Sequence, residues 1–374
     1  MYILIVSRGY PSEKYKMNGI FEFDQAKALA QAGQKVIYAA IDLRSIRRTR
    51  QWGYESFKKD GVQIEAINIP CGRIPKKLLD KTGIIALKKL YKRITLKYGE
   101  PDVIHAHFIG IGYIMARVFE KSEIPLVLTE HLSGMNKTAL SPYLLKLGEY
   151  TYHRMNQVIT VSNALANNIK CTFGVQAITI PNILDTTNFQ YKEEQKNEGF
   201  YFVSTGSLTV NKRMDFLISA FNKAFKRKRE IKLYIYGEGP ERSKLQKMIY
   251  RFGLDEQVFL MGQVDRKEIA RKMSESQSFV LASRRETFGV AYIEAMAMGL
   301  PVIATGCGGP EDFVTKENGV IIPIDNSDAL VDALKTMYEK VSVFGRNKIS
   351  DDTKERFGPD SIAKQLVKVY ERIK

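Results

Sequence analysis

Short apolar runs alternate with stretches of helical period along nearly the whole chain, and that alternation limits the fold more than any single residue does. Tyr2–Ser7, Val36–Ala40, Val103–Ala106, Leu126–Thr129, Val158–Val161 and Ile178–Ile180 are short enough to be buried parallel strands. Between them, residues 20–32, 111–120, 142–154 and 163–170 space their apolar side chains as helices do. Such a series predicts a doubly wound parallel α/β sheet with helices on both faces.

The series breaks once. Pro181-Asn182 ends the first half, and the charged stretch YKEEQKNEGF after Gln190 reads as a linker or surface loop. A second series follows in Tyr201–Thr205, Lys232–Tyr236, Val258–Met261, Phe279–Leu281 and Val302–Ala304. At 374 residues the chain is long enough for two such domains, expected over 1–182 and 183–359 and facing across a cleft. The least polar stretch, residues 287–306, is too broken to span a membrane, because Glu294 and Gly299-Leu300-Pro301 interrupt it.

Within that stretch lies the most informative local feature, RETFGVAYIEAMAMGLPV from Arg285 to Val302. A helix beginning near Gly289 offers unpaired N–H groups and a partial positive charge to a phosphate, with no side chain in the way. Glu294 then lies about 7 Å further along the axis, while Glu286 stays in the loop ahead. Each carboxylate can accept paired hydrogen bonds from vicinal hydroxyls, a ribose at one and a hexose at the other. The small apolar neighbours Ala295, Met296, Ala297 and Met298 imply that Glu294 is buried and has a partner.

This segment resembles the signature of the family-4 retaining glycosyltransferases, which have the two-domain GT-B fold and use nucleotide-diphosphate sugars. The likeness runs from residue 2 to about 340 through SRGYPSEKYKMNGIFEFDQAKALA, DVIHAHFIGIGY, VSNALANNI, IPNILD, GSLTVNKRMDFLISAFNKA, YGEGPERSKL and VFLMGQV. It implies GT-B architecture, two Rossmann-like domains, with a closing helix (360–374, apolar spacing over Ser361–Ile373) that packs back on the first domain. It also implies a donor site in the second domain built from Ser207, Lys212, Gln263, Val264, Glu286, Phe288, Gly289, Val290 and Glu294.

Four loops at strand C-terminal ends carry the expected contacts. Gly19, in Asn18-Gly19-Ile20, lets donor phosphate or acceptor approach the backbone, although Asn18 stands where the family usually has a first glycine. The resemblance sends His107 to the donor sugar near the reacting centre; His105 points the same way and reads as a core histidine. His131, with Glu130 beside it, is a weaker candidate of the same kind. In Gly206–Arg213 the chain keeps the family's phosphate lysine as Lys212 but has Ser207 where an arginine belongs, so Arg213, Arg284 or Arg285 is expected to supply the missing charge. Gln263 and Val264 would meet the nucleoside base, and Gly237-Glu238-Gly239-Pro240 reads as a structural turn.

The sequence contains no Asp-x-Asp pair, no His-Glu-x-x-His, no clustered cysteines or histidines and no Gly-x-x-x-x-Gly-Lys-Ser/Thr. An obligatory metal is therefore not expected; the resemblance implies a transferase without cofactor that takes a UDP- or GDP-sugar, with His107, Glu286 and Lys212 as its catalytic groups. Lys212 and the helix start at Gly289 would neutralise the leaving diphosphate. The resemblance implies retention by front-face attack, the departing phosphate taking the acceptor proton. A nucleotide-sugar epimerase and a non-catalytic glycan- or lipid-binding module are the alternatives.

Charge points to the acceptor. Residues 1–185 hold 26 basic and 15 acidic side chains, and residues 44–97 alone hold 15 and 4, so one region carries the whole excess of that half. It includes RSIRRTRQW (Arg44 to Trp52) and KKLLDKTGIIALKKLYKRITLK (Lys76 to Lys97), the latter amphipathic at helical spacing. Such a segment suits an anionic membrane surface, where a lipid-linked or glycan acceptor in bacterial surface polysaccharide assembly is found. Nucleic acid is not expected, for no zinc-finger spacing, RNA-recognition signature or basic tail is present. Three scattered cysteines and the absence of a basic-then-apolar leader fit a cytoplasmic protein seated on the inner face of the membrane.

Overall fold

A computed structural model describes residues 1–44, 51–136, 139–192 and 199–374. The chain divides into two compact units, Met1–Ile183 with Pro359–Lys374, and Leu184–Gly358.

The first unit runs β1 (Tyr2–Ser7), α1 (Ile20–Gln31), β2 (Lys35–Arg44), β3 (Gly53–Lys59), β4 (Val62–Pro70), α2 (Lys76–Tyr98), β5 (Val103–His107), α3 (Ile109–Val118), β6 (Leu126–Glu130), α4 (Pro142–Tyr152), β7 (Gln157–Thr160), α5 (Asn163–Phe173) and β8 (Ala177–Thr179). Among the described residues these strands form one sheet in the order β3-β4-β2-β1-β5-β6-β7-β8. Strands β1, β5 and β6 are apolar because helices cover both faces: Ile3, Leu4, Ile5, Val103, Ile104, Val127 and Leu128 are fully buried. The chain reverses its winding between β1 and β5, so the loops after those two strands border the crevice where open α/β sheets bind ligands.

Strands β3 and β4 are not among the expected runs. They form an antiparallel hairpin in register from Gly53↔Asn68 to Lys59↔Val62, closed by Asp60-Gly61 with φ of 45° and 83°. Two left-handed residues at a two-residue turn match the right-handed twist of the strands. The hairpin is held to α2 through the buried Glu65, which accepts from Ser56 Oγ (2.8 Å), Tyr98 OH (2.5 Å) and Lys97 Nζ (3.2 Å). The amphipathic stretch from Lys76 is helical, as its spacing predicts, whereas residues 45–50 of RSIRRTRQW and residues 193–198 of the charged stretch after Gln190 lie outside the described residues.

The second unit runs β9 (Phe200–Thr205), α6 (Met214–Phe225), β10 (Ile231–Tyr236), α7 (Arg242–Phe252), β11 (Val258–Gly262), α8 (Arg266–Ser274), β12 (Ser278–Leu281), α9 (Val290–Ala297), β13 (Val302–Thr305), β14 (Gly319–Ile322), α10 (Ser327–Lys340) and α11 (Arg346–Phe357). Its described strands are all parallel in the order β11-β10-β9-β12-β13-β14. That is the Rossmann order, and the reversal falls between β9 and β12. The chain therefore forms two Rossmann-like parallel-sheet units. The helices α10 and α11 and the strand β14 lie beyond the expected runs; α10 starts where Asn326 accepts from Ala329 N–H (3.0 Å).

The last helix, α12 (Pro359–Ile373), belongs to the first unit. Its apolar stripe of Ile362, Ala363, Leu366, Val369 and Tyr370 joins the core formed by Ile3, Ile5, Phe23, Ala26 and Leu29.

Candidate functional site

In the second unit, the loops after β9 and β12 are stapled together by one residue, Asn211. Its side chain donates from Asn211 Nδ2 to the Arg285 carbonyl (3.0 Å), while the Asn211 backbone carbonyl accepts from Arg284 N–H (2.9 Å). That brings Lys212 and Glu286 into a half-buried ion pair, Nζ to Oε1 2.6 Å. The lysine stem passes Gly206, where a Cβ would sit 3.6 Å from Lys212 Cδ. Ser207 is exposed at the mouth of the same loop.

The glycine turn after β10 supports this loop from behind. A Cβ on Gly237 would fall 1.9 Å from the Gly206 carbonyl oxygen, and one on Gly239 2.3 Å from that of Leu208. Both glycines serve backbone packing.

Helix α9 begins at Gly289, whose φ of 103° and contact with Tyr292 exclude a side chain: a Cβ would lie 2.6 Å from Tyr292 Cδ2. Tyr292 is pinned by its hydroxyl, which donates to the Leu281 carbonyl (2.6 Å). Phe288 faces away, buried against Phe313 and Phe357 with ring centroids 5.2 and 5.8 Å apart. Only its backbone can serve a ligand.

Glu294 is buried, and its partner is Arg266, Nε to Oε1 3.7 Å. Arg266 also donates to Asp185 (3.3 Å). Burial pushes the Asp185 carboxyl up, but Asn188, Arg266 and the N–H groups of Thr187 and Asn188 outweigh it and hold the group below its ordinary range. Arg266 and Asp185 were not singled out in the sequence; the signal was the requirement that a buried Glu294 be paired. The loop before Arg266 leaves Gln263 exposed and Val264 half-buried, and Val290 is half-buried at the start of α9.

Two of the three arginines expected to replace the missing one at Ser207 are already engaged. Arg213 pairs with Asp215 (3.3 Å) and with Asp325, and Arg284 pairs with Asp325 as well (3.1 Å). Arg285 is exposed.

In the first unit Gly19 caps α1 with φ 68°, and a Cβ there would meet the Gly9 carbonyl oxygen at 2.3 Å. Chain packing thus accounts for that glycine, with Tyr38 OH bonded to Ser7 Oγ (2.7 Å) and Gly9 O (2.8 Å). His105 is a core histidine, its two ring nitrogens partnered by Tyr370 OH (2.7 Å) and Thr129 Oγ1 (2.8 Å). His107 and His131 meet ring to ring, Nδ1 to Nε2 2.9 Å.

Burial keeps all three rings neutral. It lowers His105 to about 3, helped by His131, and lowers His131 to about 3, helped by Arg8 and opposed by Asn182. His107 is likewise held well below its ordinary value by burial and by its two histidine neighbours. Glu130 bonds the backbone N–H of His131 (2.9 Å), so it orients that residue through the chain and not through the ring. Burial raises its carboxyl to about 7 against the N–H of Leu132, the Tyr152 hydroxyl and the N–H groups of His131 and Ile109.

Among the described residues, no group of three or more His, Cys, Asp or Glu side chains is arranged to hold a metal ion, and no helix is long and apolar enough to cross a membrane.

Comparison with known proteins matches both units. Residues 23–188 match the family model described as Glycosyltransferase Family 4, and residues 199–340 the one described as Glycosyl transferases group 1. The putative teichuronic acid biosynthesis glycosyltransferase TuaC of Bacillus subtilis is 26% identical across 100% of this chain and 99% of its own. Among solved structures, sucrose-phosphate synthase from Thermosynechococcus elongatus is similar with a TM-score of 0.82 at 20% identity, over 100% of this chain and 99% of that one. Anabaena HepE in complex with UDP and glucose has a TM-score of 0.74 at 18% identity, over 100% of both chains. The fold is that of the GT-B glycosyltransferases. The chain belongs to the group 1, family 4 glycosyltransferases.

Proposed function

We propose that this glycosyltransferase is a retaining, metal-independent enzyme that moves a hexose from a UDP- or GDP-sugar to a hydroxyl of a glycan or lipid-linked glycan. The observation that carries the reading is the Lys212–Glu286 pair at the β9–β12 reversal, beside the glycine-capped start of α9. The ammonium and the first-turn N–H groups of α9 receive the diphosphate, as fixed dipoles that need no reorganisation during reaction. Glu286 is then released to accept hydroxyls of the sugar. Glu294, steadied by Arg266, takes the ribose, and the backbone at Gln263 and Val264 takes the base.

In the transfer step the acceptor oxygen bonds to the anomeric carbon on the face that the phosphate leaves. The anomeric carbon–oxygen bond to phosphate breaks, and the departing phosphate oxygen takes the acceptor's proton. His107, at the end of β5, hydrogen-bonds a substrate hydroxyl. HepE was crystallised with UDP and glucose, which supports a nucleotide-sugar donor, and TuaC is named for teichuronic acid biosynthesis, which supports a place in surface polysaccharide assembly. The test is a panel of UDP- and GDP-sugars offered to the pure protein with and without glycan acceptors. Acceptor-dependent nucleotide release is expected; release that ignores the acceptor, or a panel in which no donor raises the melting temperature, overturns the reading.

The acceptor is proposed to lie at an anionic membrane surface. Helix α2 exposes Leu78, Ile85 and Leu96 by 49, 57 and 80%. At 100° per residue the three fall within about 20° of one line, on the side away from the buried Leu87, Leu90 and Ile94. Lys81, Lys88, Lys89 and Lys92 flank the ridge and are exposed. An apolar ridge between lysines suits shallow insertion among anionic headgroups, each lysine adding about 1 kcal/mol. Flotation with vesicles containing a third phosphatidylglycerol should recover the protein, whereas zwitterionic vesicles, or the Leu78→Ser, Ile85→Ser, Leu96→Ser triple variant, should recover at least about fivefold less. Equal recovery throughout ends the membrane assignment.

A further inference from the structure

We propose that His131 is a positioning residue for His107, fixing the orientation and the tautomer of that ring through one N–H···N bond so that only Nε2 faces a substrate hydroxyl. The inference rests on the reading above that His107 meets substrate. It starts from Glu130, whose carboxylate binds two stretches of backbone at once. Oε1 accepts from the N–H groups of His131 (2.9 Å) and Leu132 (2.8 Å); Oε2 accepts from Ile109 N–H (3.1 Å) and Tyr152 OH (2.8 Å). Ile109 lies two residues after His107, so the two histidine backbones are held at a set separation.

The side chains use that separation. Their rings are 13° from parallel, with Nδ1 of His107 2.9 Å from Nε2 of His131, and the His105 ring stacks on that of His107 with centroids 4.7 Å apart. The intervening Phe108 is held at φ 64°, a costly angle for a residue with a side chain, by its own N–H bonding to the Thr129 carbonyl (2.9 Å). Both rings are neutral, so a contact of this length requires one proton between them: two lone pairs or two N–H groups would repel.

Neither outer nitrogen, His131 Nδ1 or His107 Nε2, has a partner among the described residues. In the proposed arrangement His107 donates from Nδ1–H to His131 Nε2, and His131 keeps its own hydrogen on Nδ1. Nε2 of His107 has no partner among the described residues and is left as a buried lone pair, suited to accept from a sugar hydroxyl.

The chain has four histidines, so two-bond proton–nitrogen correlation on histidine-labelled protein can resolve each tautomer, with His107 assigned by its loss in His107→Ala. The wild type should show His107 in the Nδ1–H form alone. His131→Phe, which keeps the ring stack and removes the acceptor, should show averaged tautomers and about tenfold lower turnover of the active sugar nucleotide, as for loss of an orienting outer partner. His131→Gln, which returns a carbonyl acceptor, should restore the single tautomer and most of the turnover. Averaged tautomers in the wild type, or a His131→Phe protein with the wild-type pattern, overturn the proposal; the wild-type spectrum decides if His131→Phe fails to fold. Unchanged turnover in His107→Ala would instead remove the substrate-facing reading of His107 and leave the tautomer assignment standing.

Discussion

Lys212→Ala should lower turnover about a hundredfold, a loss of roughly 2.7 kcal/mol of transition-state stabilisation, while the protein stays folded. The ammonium is the one lysine charge in the loop after β9, and Ser207 leaves it without the arginine the family places nearby. Glu286→Ala should cost at least tenfold by a different route, because it removes a hydroxyl acceptor and leaves the Lys212 ammonium unpaired in a half-buried site. The two variants separate on binding. Losing the lysine should weaken free nucleoside diphosphate as well as the sugar nucleotide, whereas losing the glutamate should weaken only the sugar-bearing ligand. Titration calorimetry with UDP, GDP and the active donor reads the difference, and wild-type rates in both variants would sink the diphosphate assignment.

Gly289→Ala should weaken donor binding by more than about tenfold. The new Cβ cannot reach φ 103° without strain and would enter the Tyr292 ring, which cannot yield while its hydroxyl holds the Leu281 carbonyl. Relief requires α9 to turn at its first residue, which re-aims the N–H groups proposed to hold phosphate. Gly33→Ala is the control: it too has a left-handed φ, 80°, but nothing stands within 4 Å of its Cβ. That variant should lose about 1 kcal/mol of stability and no donor affinity. Equal donor binding by Gly289→Ala and the control would show that the helix start does not hold the phosphate.

The alternation of short apolar runs and helical spacing was enough to read both sheets, because a strand covered on two faces has almost no freedom of composition. The β3–β4 hairpin escaped that test: one of its strands is half exposed, and its only sharp signal is Asp60-Gly61. Glu294 could be known to need a partner from its small neighbours, but nothing in the sequence singles out Arg266, which reaches it from a different helix. Glycines were harder. Gly289 was legible from its place before a helix, whereas Gly19 reads equally well as an opening for a ligand and as a seat for another carbonyl, and only the coordinates place Gly9 there. Phe288 illustrates the same limit, since a motif gives the residue and not the direction in which it points.

Helix α12 has a consequence for how the chain is made. The first unit lacks Ile362, Leu366 and Tyr370 until Pro359–Lys374 have been synthesised. Until then His105 has no hydroxyl for Nδ1, and a hydrophobic face beside α1 stands open to water or to a chaperone. The unit whose strands are made first is thus completed only after the sequence of the second unit, Leu184–Gly358, has been made.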